Sequence, residues 1–78
     1  MQNVTVYIKN PLFELSDGED PVPPRTSILV GKITDRPAGF VEIETARLLD
    51  DAGRELGTPK LVLQLPLAKI DHIRILGD

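Results

Sequence analysis

The sequence predicts an all-β domain: a five-stranded, strongly bent open barrel with a long proline-rich loop between its first two strands. Three observations carry this. Short runs alternate apolar and polar residues with period two, the mark of half-buried strands. Gly31 interrupts one of the apolar runs, Ile28-Leu29-Val30-Gly31-Lys32-Ile33. No segment sustains the 3.6-residue period of a helix. Ala46-Arg47-Leu48-Leu49-Asp50-Asp51 has room for one turn before Gly53 intervenes.

Val4-Thr5-Val6-Tyr7-Ile8-Lys9 reads as the first strand, with Val4, Val6 and Ile8 inward. Asn10-Pro11 ends it, because proline lacks a ladder donor and holds its predecessor extended. Residues 11–25 hold four of the seven prolines (Pro11, Pro21, Pro23, Pro24) and the acidic stretch Asp17-Gly18-Glu19-Asp20, which reads as a long surface loop. Phe13 and Leu15 would tack its start to the core. Thr26 to Asp35 reads as the second strand. Its internal glycine indicates a sharp bend or a close backbone approach, against the alternative of a tolerant edge position. Asp35-Arg36-Pro37-Ala38-Gly39 is a turn, with Pro37 and Gly39 suited to its central dihedrals. Phe40 to Leu48 is the third strand, with Val41, Ile43 and Thr45 on one face and Glu42 and Glu44 on the solvated one. Residues 50–59 read as a hairpin loop. Lys60 to Leu65 is the fourth strand, with Leu61, Leu63 and Leu65 on one face. Pro66-Leu67-Ala68-Lys69 is a tight connection, and Ile70 to Leu76 the fifth strand.

Residues 1–78 make one domain with one modest core. A chain of this size buries only about 60% of its unfolded surface, so its stability calls for outside support. With no Cys and one His, disulfides and Cys-ligated zinc are excluded, and oligomerisation is the expected support. The absence of Cys fits a reducing compartment. No apolar run is long enough to span a membrane. The first residues lack the basic-then-apolar pattern of a signal peptide, so the expected location is cytoplasmic. The net charge is −3. Nucleic-acid binders normally present basic surface, so RNA binding here requires a local basic rim.

The order of elements resembles the Sm/LSm-like family of small SH3-like barrels, the group that includes the bacterial Hfq proteins, and the chain is similar to a divergent member. Val4-Thr5-Val6-Tyr7-Ile8-Lys9-Asn10 looks like its opening strand. Leu29-Val30-Gly31-Lys32-Ile33-Thr34-Asp35 looks like its glycine-bearing second strand and following acid, and Ile70-Asp71-His72-Ile73 like its closing strand. The resemblance spans residues 3–9 and 26–76. It implies a non-enzymatic homo-oligomeric ring, closed by pairing of the fourth strand with the fifth strand of the next subunit, and RNA bound through loops near the pore. The chain departs from the pattern in having no opening helix and in the insertion at 11–25. Gly39-Phe40 stands where the family's RNA loop carries Asn, and Pro66-Leu67 where its second RNA loop carries Arg-Gly or Lys-His. An exposed apolar edge must in any case be paired or protected.

Stacking on bases needs aromatics, and phosphates need cations. The candidate RNA-binding residues are therefore Arg36 and Phe40 at the turn and Lys69 in the second connection, with Asp35 orienting the turn. The alternative is that Phe40 is core and Arg36 only solvates the turn. A second reading makes the barrel a structural or protein-interaction scaffold whose partner meets residues 11–25. No catalytic site is expected. His72 has no nucleophile in a recognisable setting, and Ser16 and Ser27 lie in or beside the loop. Asp17, Glu19 and Asp20 match no calcium-loop spacing, and the scattered glycines form no phosphate loop. No metal or cofactor is implied.

Overall fold

Alternation along the strands fixes which side chains meet. In the computed structural model, which describes residues 2–9 and 25–76, the chain is all-β, with six antiparallel strands in one open sheet. They are β1 (Gln2–Ile8), β2 (Ile28–Asp35), β3 (Phe40–Leu49), β4 (Glu55–Gly57), β5 (Val62–Pro66) and β6 (Ile70–Ile75). A 3₁₀ turn, Leu67–Lys69, joins β5 to β6. The hydrogen-bonded path runs β4-β3-β2-β1-β6, and β5 pairs with the other half of β3.

Every second residue of β1 points inward, as expected: Val4, Val6 and Ile8 are buried. They meet Leu29 and Ile33 of β2, Val41, Ile43 and Leu48 of β3, and Leu65 of β5. Leu63, Ile70 and Ile73 pack against this core while partly exposed. Fully burying each such side chain contributes about 1.5–3 kcal/mol.

The sheet folds back on itself because β5 and β6 lie at opposite ends of the path with three residues between them. The amide of Leu67 donates to the Gly39 carbonyl (3.0 Å) and that of Lys9 to the Lys69 carbonyl (2.8 Å), pinning the connection to both ends. Two register shifts in the β2–β3 ladder assist. Val30 pairs with Arg47 and Gly31 with Thr45, so Ala46 is the extra residue on β3; Thr34 is the extra residue on β2. Bulges of this kind bend and twist a strand pair. At the first, Gly31 takes the role its place in the sequence indicates, a close backbone approach. A Cβ there would lie on the Glu44 carbonyl oxygen and 3.0 Å from the Thr45 Cα.

One expectation is corrected. Among the described residues the strands number six rather than five, because residues 50–59 are not one loop. Glu55–Gly57 pairs with Leu48 and Leu49 and so covers the far half of the β3 edge. Alternation cannot signal a three-residue strand set between turn residues. Leu61 and Leu63 share the inner face with Leu65 but are only half-buried, because β5 is an edge strand with little beyond it. The 11–25 loop lies, apart from exposed Arg25, outside the described residues.

The turn after β3 is organised by Asp50, buried though charged. Its carboxylate accepts from the amides of Ala52 (2.9 Å) and Arg54 (2.8 Å). Gly53 supplies the left-handed φ of +85°. The hydrogen bond from the Arg54 amide is the main cause holding the Asp50 pKa below its ordinary 3.8. Burial opposes this; the Ala52 amide and the positive charges of Arg54 and Arg25 reinforce it. A folded pKa below the unfolded one means stability fully present above about pH 4 and lost as pH falls through the folded value. Asp50→Asn is therefore expected to flatten the acid limb of a Tm-against-pH curve. An unchanged acid limb refutes this.

Candidate functional site

Two turns carry the residues singled out in the sequence, and the fold sets them side by side. Asp35 ends β2, and its Oδ1 accepts from the Arg36 amide (2.8 Å) at the start of the turn. The Phe40 amide donates to the Pro37 carbonyl (2.9 Å), and Gly39 closes the turn with φ of +78°. Phe40 then opens β3 opposite Pro66, the residue before the 3₁₀ turn. With the Leu67–Gly39 hydrogen bond, this joins the β2–β3 turn to the β5–β6 connection.

Phe40 is not core: it is 41% exposed, and neighbouring Leu67 is 54% exposed. An exposed aromatic ring beside cations provides a stacking surface. Lys69 ends the 3₁₀ turn, and its carbonyl accepts from the Lys9 amide, which sets a second lysine beside the connection. Lys9 and Leu67 were missed in the sequence. Lys9 reads there only as the last polar residue of a strand, and Leu67 only as part of a connection. The linked turns carry Lys9, Arg36 and Lys69, while Asp35, its register partner Glu42 and Asp71 supply acids at the same turns, on a chain of net charge −3.

His72 lies elsewhere, on the outer face of β6. Its ring stacks on Tyr7, its cross-strand partner, at 4.3 Å between centroids and 11° between planes. Its Nδ1 lies 2.9 Å from Asp71 Oδ2. Among the described residues no group of His, Asp or Glu is arranged to hold a metal, and no helix is long and apolar enough to cross a membrane.

No family model, curated protein or solved structure matches the chain. The residues themselves therefore carry the functional reading.

Proposed function

We propose that the protein is a non-enzymatic, Sm-like small barrel that assembles edge to edge into a homo-oligomeric ring and binds single-stranded RNA at its linked turns. The observation that carries the RNA reading is the hydrogen-bonded junction of the two turns, which gathers Phe40, Lys69 and Lys9 beside the Arg36 turn. Phe40 offers a base-stacking face, and Arg36, Lys69 and Lys9 offer charge to phosphates. Assembly rests on the edges. Among the described residues β5 pairs only with β3 and β6 only with β1, leaving each with one side unpaired by them. Val62 on β5 is 60% exposed and Ile75 on β6 is 56% exposed. Unpaired apolar edges of this kind invite another strand. Pairing β5 of one copy with β6 of the next is a heterologous contact, which closes into a ring when the rotation permits. The net charge of −3, multiplied around such a ring, favours the second reading, a scaffold that meets a protein partner through residues 11–25.

Sedimentation of the purified chain at micromolar concentration, followed by anisotropy titration of short U-rich and A-rich RNAs at low salt, tests both parts. The expected results are an oligomer, and binding near the micromolar end of the non-specific range, about 10 µM or tighter. Replacing Arg36 and Lys69 together by Ala is expected to weaken binding about tenfold or more. A stable monomer sinks the ring. An oligomer that binds neither RNA leaves the scaffold reading.

A further inference from the structure

A second feature lies on the opposite face of the sheet from the core, away from the linked turns. An open groove of about 510 Å³ crosses β1, β2 and β3 and the segment before β5. Its volume is within the range of small-molecule sites. The floor exists because β2 and β3 approach closely at Gly31, where any side chain would strike the Glu44 backbone. β3 runs between two flanks. Gly31 pairs with Thr45 on one side, and on the other the Thr45 amide donates to the Leu61 carbonyl (2.7 Å). Lys32 on one flank and Lys60 on the other therefore line the groove on either side of Glu44.

Lys32 and Lys60 are exposed to water and Glu44 is half-buried. Lys32 and Glu44 are directly opposite in register, the arrangement in which opposite charges usually pair across strands. Yet Lys32, Lys60 and Glu44 form no ion pair or side-chain hydrogen bond among the described residues, where the ion pairs are Arg47–Glu55 and Asp71–His72. Val30 and Leu76 add apolar wall. Two ammonium groups, one carboxylate and an aliphatic wall suit a ligand that carries a carboxylate, an ammonium and an aliphatic body together.

We propose that this groove binds a small zwitterion, an aliphatic α-amino acid. Its carboxylate meets Lys32 and Lys60, its ammonium meets Glu44, and its side chain lies against Val30 and Leu76. A lone anion is disfavoured by Glu44 and a lone cation by the two lysines, so the charge pattern selects for both ends at once. This site is separate from the linked turns, and its test does not depend on RNA binding.

The test is an amide-shift NMR titration of the full chain with three probes: leucine, N-acetyl-leucine, which lacks the ammonium, and leucinamide, which lacks the carboxylate. Leucine is expected to shift the amides of Gly31, Lys32, Glu44 and Thr45 with a Kd of about 1 mM, and each blocked analogue to bind about tenfold more weakly. Lys60→Met is expected to weaken leucine about tenfold and leave leucinamide unchanged. Glu44→Gln is expected to erase the preference for leucine over N-acetyl-leucine. No shifts at these amides up to about 20 mM leucine overturn the proposal, since a site with a Kd of about 1 mM would be nearly saturated there. Equal binding of leucine and N-acetyl-leucine overturns it as well, because that describes an anion site.

Discussion

Gly31→Ala is expected to lose most or all of its folded population, with a destabilisation of about 4 kcal/mol or more. A chain of this length has total stability of roughly 4–12 kcal/mol, so one such loss is decisive. The reason is steric. The added methyl would lie on the Glu44 carbonyl oxygen and 3.0 Å from the Thr45 Cα, and both are backbone atoms in the next strand. A side chain can rotate away from a clash; a paired backbone must move the ladder. Relief would require parting β2 from β3 at the bulge that bends the sheet, and with it the floor of the groove. Gly39→Ala separates this effect from a general intolerance of glycine replacement. Gly39 has φ of +78° with open space where a Cβ would sit, so its cost is conformational alone, about 1–2 kcal/mol. Urea denaturation followed by circular dichroism gives both values. If Gly31→Ala is no worse than Gly39→Ala, β2 and β3 do not approach as described.

Gly31 also shows how far the sequence could be read. A glycine inside an apolar run has few uses, so its position alone indicates a bend or a close approach. Val4, Val6 and Ile8 were legible for a similar reason: period-two alternation in a strand paired on both sides leaves no doubt about its inner face. The edges were harder. Leu61, Leu63 and Ile75 alternate as core residues do, but their burial depends on what lies beyond β5 and β6 in space. Glu55–Gly57 has no pattern to read, since three residues between turn signals are compatible with loop or strand.

The candidate sites follow the same division. Asp35, Arg36 and Phe40 were legible as one turn because they are neighbours in the chain. Their union with Lys69 and Lys9 was not, because it depends on two backbone hydrogen bonds made by the 3₁₀ connection. The groove was less legible still. Lys32, Glu44 and Lys60 are spread across 29 positions, and only the β2–β3 register and the path of residues 58–61 bring them to one place. Local chemistry is written in local sequence, whereas a site that crosses strands requires the register first.

Thr45→Val is expected to destabilise the fold by about 2–4 kcal/mol, more than its small change in shape suggests. The sequence places Thr45 on the inner face with Val41 and Ile43, where a valine appears equivalent. Thr45 is 1% exposed, and its hydroxyl sits where β3 has neither β4 nor β5 beside it. That hydroxyl donates to the Pro59 carbonyl (2.8 Å) and accepts from the Leu61 amide (3.0 Å). It thus ties the connecting segment to β3 across the gap between the two edge strands. Valine fills the same volume but leaves an amide and a carbonyl without their partner, and unsatisfied groups near the core are costly. Thr45→Ser keeps the hydroxyl and removes one methyl, a loss of about 1 kcal/mol. The expected order of stability is therefore Thr, then Ser, then Val, whereas hydrophobicity alone would put Val first. Amide exchange gives an independent readout: the Leu61 amide should lose protection in the Val variant and keep it in the Ser variant. If Val proves as stable as Ser, with Leu61 equally protected, the bridge is not what holds residues 58–61 to the sheet. Lys60 would then not be fixed beside Glu44.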